Sequence, residues 1–162
     1  MLPEYFNLNY IIMDKNQLTQ KEKTTDFEIS VERLHTKAQL WISEIEFIKI
    51  EQNFLKELLT EHIIGLCETH NYDKAKKFLN GIEHEAKLGN KLIESIKEHK
   101  INLALLLENI QLKKESKYRD NHKLLKVEIK NYIENFKYIK EQVFELVLLI
   151  MKNEKERKLL SK

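Results

Sequence analysis

VERLHTKAQLWISEIEFIKIEQNFLKELL, residues 31–59, is the stretch that decides the fold. Within it Val31, Leu34, Ala38, Trp41, Ile45, Ile48, Gln52, Leu55 and Leu59 recur at alternating steps of three and four, and His62 and Leu66 carry the line onward. This spacing gathers the apolar side chains along one side of a helix and defines a heptad seam. A half-buried strand would instead alternate at every second residue. The seam runs for about forty residues, or roughly 60 Å of helix at 1.5 Å per residue.

Downstream, Thr69, His70 and Asn71 break the pattern just past Gly65 and leave room only for a short connection. A second seam follows through Ala75, Leu79, Ile82, Ala86, Gly89, Ile93, Ile96, Lys100, Leu103, Leu107 and Ile110. After the polar stretch 113–121 comes a third, through Leu125, Ile129, Tyr132, Phe136, Ile139, Val143, Leu146 and Ile150. Short connections force sequential helices to run antiparallel. The expectation is therefore an all-α, antiparallel three-helix bundle, running up, down and up, with helices at about 26–68, 72–113 and 118–160 inside a domain spanning 26–162.

Two polar residues fall on these lines, Gln52 in the first and Lys100 in the second, and both are read as polar core positions that specify register. Matching helix midpoints places Lys100 near Ala38 and Tyr132, and Gln52 near Ala86 and Gly89, where a small apolar ligand is the competing reading. A Lys stem can pack in a seam while its ammonium reaches outward.

Upstream, residues 1–25 read as an arm followed by a linker. Leu2, Tyr5, Phe6, Leu8, Tyr10, Ile11 and Ile12 give way to a polar run, and Thr25-Asp26-Phe27-Glu28 has the form of a capping box that opens the first helix. Met13 is an alternative start. Residues 1–14 carry neither a basic start nor a cleavage-type segment, and no eighteen apolar residues run together, so a membrane span is not expected.

Composition agrees with a helical chain, since only three Gly and one Pro are available for turns. The 28 basic and 26 acidic side chains nearly cancel, so no field steers the molecule to nucleic acid or to an anionic membrane. Lys152, Lys155, Arg157, Lys158 and Lys162 complement the dipole of a helix C-terminus. A single cysteine, Cys67, cannot form an internal disulfide, and a reducing, cytoplasmic location is expected.

The sequence carries more apolar residues than one core can bury. Leu40, Phe47, Ile50 and Phe54 form a second line on the first helix, and Phe144, Leu148 and Met151 stand off the seam of the third. These seven mark an expected interaction surface, because large apolar patches seldom stay uncovered. The arm 1–25 as a fourth element, a second copy in a homo-oligomer, or a helical protein partner could each cover it.

Signals for chemistry are sparse. Glu32 and His35 have the Glu-x-x-His spacing of a carboxylate metal bundle, but no second such motif faces them, so neither metal nor cofactor is expected. The remaining histidines show no zinc-type spacing and read as surface residues. Cys67 with His70 three residues on has a spacing that arises by chance and would need a pocket as well, and Gly65, Gly81 and Gly89 form no phosphate loop.

The segment Leu34-His35-x4-Leu40-Trp41-x2-Glu44-x2-Phe47-x-Lys49-x-Glu51 resembles a pattern in small helical bacterial proteins, which implies a helical fold and no activity. Three long rods with a tryptophan in the first also resemble a spectrin repeat, a likeness of architecture alone. Trp41 then reads as core and Phe47 as a contact residue. The expected function is a non-catalytic helical interaction or scaffold module that self-associates or docks a partner helix. Its alternatives are a small apolar ligand-binding bundle and a metal-dependent enzyme using Glu32 and His35.

Overall fold

In a computed structural model of the chain, residues 29–108, 110 and 115–161 are described. They form four helices that pack against one another: α1, Val31–Glu61; α2, Ile63–Glu68; α3, Tyr72–Leu107; and α4, Glu115–Leu160. No strand occurs among the described residues. The apolar arm 2–12 and the capping box at Thr25 to Glu28 lie outside them.

α1 begins at Val31 rather than at residue 26. Ser30, extended at φ −62° and ψ 155°, accepts the Arg33 N–H on its hydroxyl at 3.4 Å, and Glu32 in the first turn complements the helix dipole. The first rod is also interrupted: His62, at φ −96° and ψ 16°, separates α1 from α2. Hydrogen bonding resumes at once, with the Leu66 N–H on the His62 carbonyl at 3.0 Å.

The α2–α3 connection is a helix stop built without glycine. His70 adopts a left-handed backbone at φ 58°, the Asn71 N–H reaches back to the Leu66 carbonyl at 2.8 Å, and the His70 N–H to that of Cys67 at 3.2 Å. These two bonds make a Schellman motif, which turns the chain within a few residues. α3 ends at Leu107, short of the predicted 113, and α4 starts at Glu115, ahead of the predicted 118.

Contacts between helices set their relative heights. Ile29 meets Arg119, Glu51 meets Lys140, His62 meets Glu154 and Glu68 meets Arg157, so residue numbers rise together in α1 and α4. Gln39 with Lys100, Ile45 with Gly89 and His99 with His122 show α3 numbers falling against both. The main core includes Ile45, Leu55, Leu59, Leu66, Ile82, Ile96, Ile129, Tyr132 and Ile150, all at 2% exposure or less. Burying one such aliphatic side chain contributes about 1.5–3 kcal/mol. A smaller cluster of Leu34, Leu103, Leu106 and Tyr118 closes one end.

The α3 seam matches the expected one at Ala75, Ile82, Gly89, Ile93, Ile96 and Leu103, all buried, and departs from it on the adjoining line. There Glu85, Leu92, His99 and Leu106 are buried, whereas Lys100 is half-buried with its ammonium on the Gln39 side-chain oxygen and Leu107 is exposed. Glu and His on that line hid it from a reading that counted apolar residues. Tyr132 lies level with Gln52, Ile45 and Gly89 rather than with Lys100. Matching midpoints failed here because α4, at 46 residues, outruns α3 at 36.

Candidate functional site

The off-seam apolar residues are all at the surface. Leu40, Phe47, Ile50 and Phe54 are 62%, 62%, 66% and 52% exposed, and Phe144, Leu148 and Met151 are 39%, 63% and 49% exposed. On α1 the steps 40, 47, 54 repeat every two turns, with Ile50 between, and turn away from the seam that meets α3 and α4. The Glu51–Lys140 ion pair at 2.8 Å fixes the height at which α1 and α4 meet. Phe54, three residues beyond Glu51, and Phe144, four beyond Lys140, therefore stand at a similar level on neighbouring helices. Together they make a ridge along the α1 and α4 side, with no described residue covering it.

The polar core positions separate. Gln52 is 1% exposed, and its amide nitrogen donates to the Tyr132 hydroxyl at 3.2 Å. Burial pushes the Tyr132 phenol up to about 12; the Gln52 bond opposes this and the Glu85 charge adds to it. Glu85, itself buried, has its carboxyl pushed up by burial. Gln52 Oε1 and Glu85 Oε2 find no hydrogen-bond partner among the described residues. Beside Gly89, where a small ligand was one reading, the Tyr132 hydroxyl packs closely: a Cβ there would meet it at 2.6 Å.

A different polar cluster went unnoticed in the sequence. His99 and His122, read as surface residues, are 1% and 5% exposed and share a hydrogen bond of 2.9 Å between His99 Nε2 and His122 Nδ1. The Trp41 ring stacks on His122 with centroids 4.4 Å apart, so the tryptophan, half-buried at the edge of the core, serves as one wall of this cluster. Asn121 Nδ2 approaches His99 Nδ1 at 3.3 Å. Burial, then the charges of His99, Lys37, Lys126 and Arg119, pushes the His122 imidazole down to about 4, and burial lowers His99 as well. The signal that could have found them is periodicity. His122 lies one heptad before Ile129 on the line 129, 136, 143 and 150, and His99 lies midway between Leu92 and Leu106.

His122 also lines a cavity of about 500 Å³ between the N-terminal parts of α1 and α4. Its apolar wall includes Ile29, Leu34 and Val127. Lys37, Arg119, Lys123, Lys126 and Lys130 bring positive charge to it, against Asp120 alone.

The remaining candidates do not assemble. Glu32 is exposed, its carboxyl lowered by backbone and Ser30 hydrogen bonds, and His35 is half-buried beside it. Among the described residues no three His, Cys, Asp or Glu side chains come together in a way that could hold a metal ion. Cys67 is an exposed free thiol. No described helix is long and apolar enough to cross a membrane. In comparisons with known proteins, no family model, no curated protein and no solved structure matches the chain.

Proposed function

We propose that this chain is a non-catalytic, cytoplasmic interaction module that self-associates through the apolar ridge of α1 and α4. The exposure of Phe47, Ile50 and Phe54, each more than half open to solvent on one helix face, is the observation that carries this reading. Solvated helix faces are ordinarily polar, and a contiguous set of large apolar side chains on a small domain favours a covered surface. A second copy is the proposed cover, because a helical ridge can meet its own equivalent across a two-fold axis.

The contacts among the helices support an up-down-up arrangement of three heptad-packed rods, in which α2 continues the first rod and α3 runs against its neighbours. In that arrangement α1 and α4 are parallel and adjacent, so their surplus apolar residues form one docking surface. The unpaired Cys67 thiol fits a reducing compartment.

Sedimentation velocity over a concentration series tests the proposal. Self-association predicts a sedimentation coefficient that rises with concentration around about 1 μM or above, the range of a complex worth roughly 8 kcal/mol. A chain that stays monomeric throughout would rule it out.

A further inference from the structure

We propose that the cavity between the N-terminal parts of α1 and α4 binds a small amphiphile with an anionic head, of the class of fatty carboxylates. The site is separate from the apolar ridge, and its occupancy does not depend on whether copies of the chain associate.

Its size and lining set the ligand class. About 500 Å³ falls within the range of small-molecule sites, which are largely apolar with a few convergent polar groups. Ile29, Leu34 and Val127, together with the lysine stems around them, offer a surface for a hydrocarbon chain. That surface alone would accept any oil; the charges around it select the head.

Cations gather from two helices. Lys37 comes from α1, and Lys123, Lys126 and Lys130 come from successive turns of α4. Lys123 and Lys130 have loose ion pairs, to Asp120 and to Glu134, both at 3.8 Å. Lys37 and Lys126 have no ion-pair partner among the described residues, and both line the same cavity as His122. Like charges three and four residues apart on a helix repel, and a bound anion would relieve that cost.

The buried histidine supplies a directed donor. Asn121 Nδ2 donates to His99 Nδ1, which leaves the His99 proton on Nε2. That proton is then donated to His122 Nδ1 at 2.9 Å, so His122 carries its own proton on Nε2. This N–H has no hydrogen-bond partner among the described residues, although the side chain is 95% buried and lines the cavity. A donor at the cavity wall with no bond inside the protein is available to an acceptor in the cavity. A carboxylate head fits: it accepts from His122 Nε2–H while Lys37 and Lys126 balance its charge.

Titration calorimetry on the full chain with dodecanoate tests the proposal, with dodecanol and acetate as comparators that keep only the chain or only the head. Saturable binding of one dodecanoate is expected, with both comparators weaker by about tenfold or more, the discount for losing a charge-assisted bond or the apolar contact. The Lys37→Gln/Lys126→Gln variant, whose changes are at the surface and leave the core intact, should lose affinity to a similar degree. Lys76→Gln, remote on α3, should bind as the unaltered chain does. Absence of saturable binding, equal binding of dodecanol, or equal affinity in the Lys37→Gln/Lys126→Gln variant would each overturn it.

Discussion

His99 and His122 hydrogen-bond to each other inside the protein, Nε2 to Nδ1 at 2.9 Å, and at least one ring must be neutral for that bond to exist. The pair thereby couples stability to pH. The His122 pKa is depressed from 6.5 to about 4, so the folded form binds protons less readily than the unfolded chain. Its contribution is complete above pH 6.5 and is lost as pH falls from 6.5 toward about 4. The size is roughly 3 kcal/mol, at about 1.4 kcal/mol per pH unit. Urea midpoints measured across this window should fall, and the fall should be much shallower in His122→Gln. Parallel pH profiles for the two proteins would refute the coupling.

Gly89 and Gly81 should respond oppositely to the same substitution. Alanine is favoured over glycine in a helix by about 1 kcal/mol. At Gly89 a methyl group would meet the Tyr132 hydroxyl at 2.6 Å and Ile45 Cγ2 at 3.3 Å, whereas at Gly81 it would meet Ile139 Cδ1 at an ordinary 3.5 Å. Overpacking costs about 1–3 kcal/mol, so after the helix-propensity gain Gly89→Ala is expected to lose about 0–2 kcal/mol net. Gly81→Ala should gain about 0.5–1 kcal/mol. Thermal denaturation of both variants checks the pair, and a gain at Gly89 would show that Tyr132 is not tightly held.

His70 occupies the left-handed position of the α2 stop at φ 58°, which glycine adopts without steric penalty. Its side chain is exposed, so little packing is lost on its removal. His70→Gly should therefore raise stability by about 0.5–1 kcal/mol, even though glycine costs entropy elsewhere. Chemical denaturation decides it; destabilisation would mean that the imidazole contributes to the turn.

Helicity was plainly legible in the sequence, because the heptad line through Leu34, Ile45, Leu55 and Leu59 admits no strand reading. The exposed set Leu40, Phe47, Ile50 and Phe54 was legible for the same reason: helical phase alone places it off the seam. Polar residues on the buried line were the obstacle. Glu85 and His99 interrupt the α3 seam, so the apolar pattern slid one residue to Ala86 and Lys100. The cavity was out of reach altogether, since it depends on the relative heights of α1 and α4, which follow from helix lengths and side-chain fit rather than from periodicity.

The helix ridge as a self-association surface is tested most directly by the molar mass, from light scattering in solution, of Phe47→Ser/Phe54→Ser beside the unaltered chain and Leu124→Ser. Leu124 is an exposed apolar residue of α4 outside the ridge, 58% open to solvent. The account predicts a dimer for the unaltered chain and for Leu124→Ser, and a folded monomer for Phe47→Ser/Phe54→Ser. Equal masses for all three would contradict it.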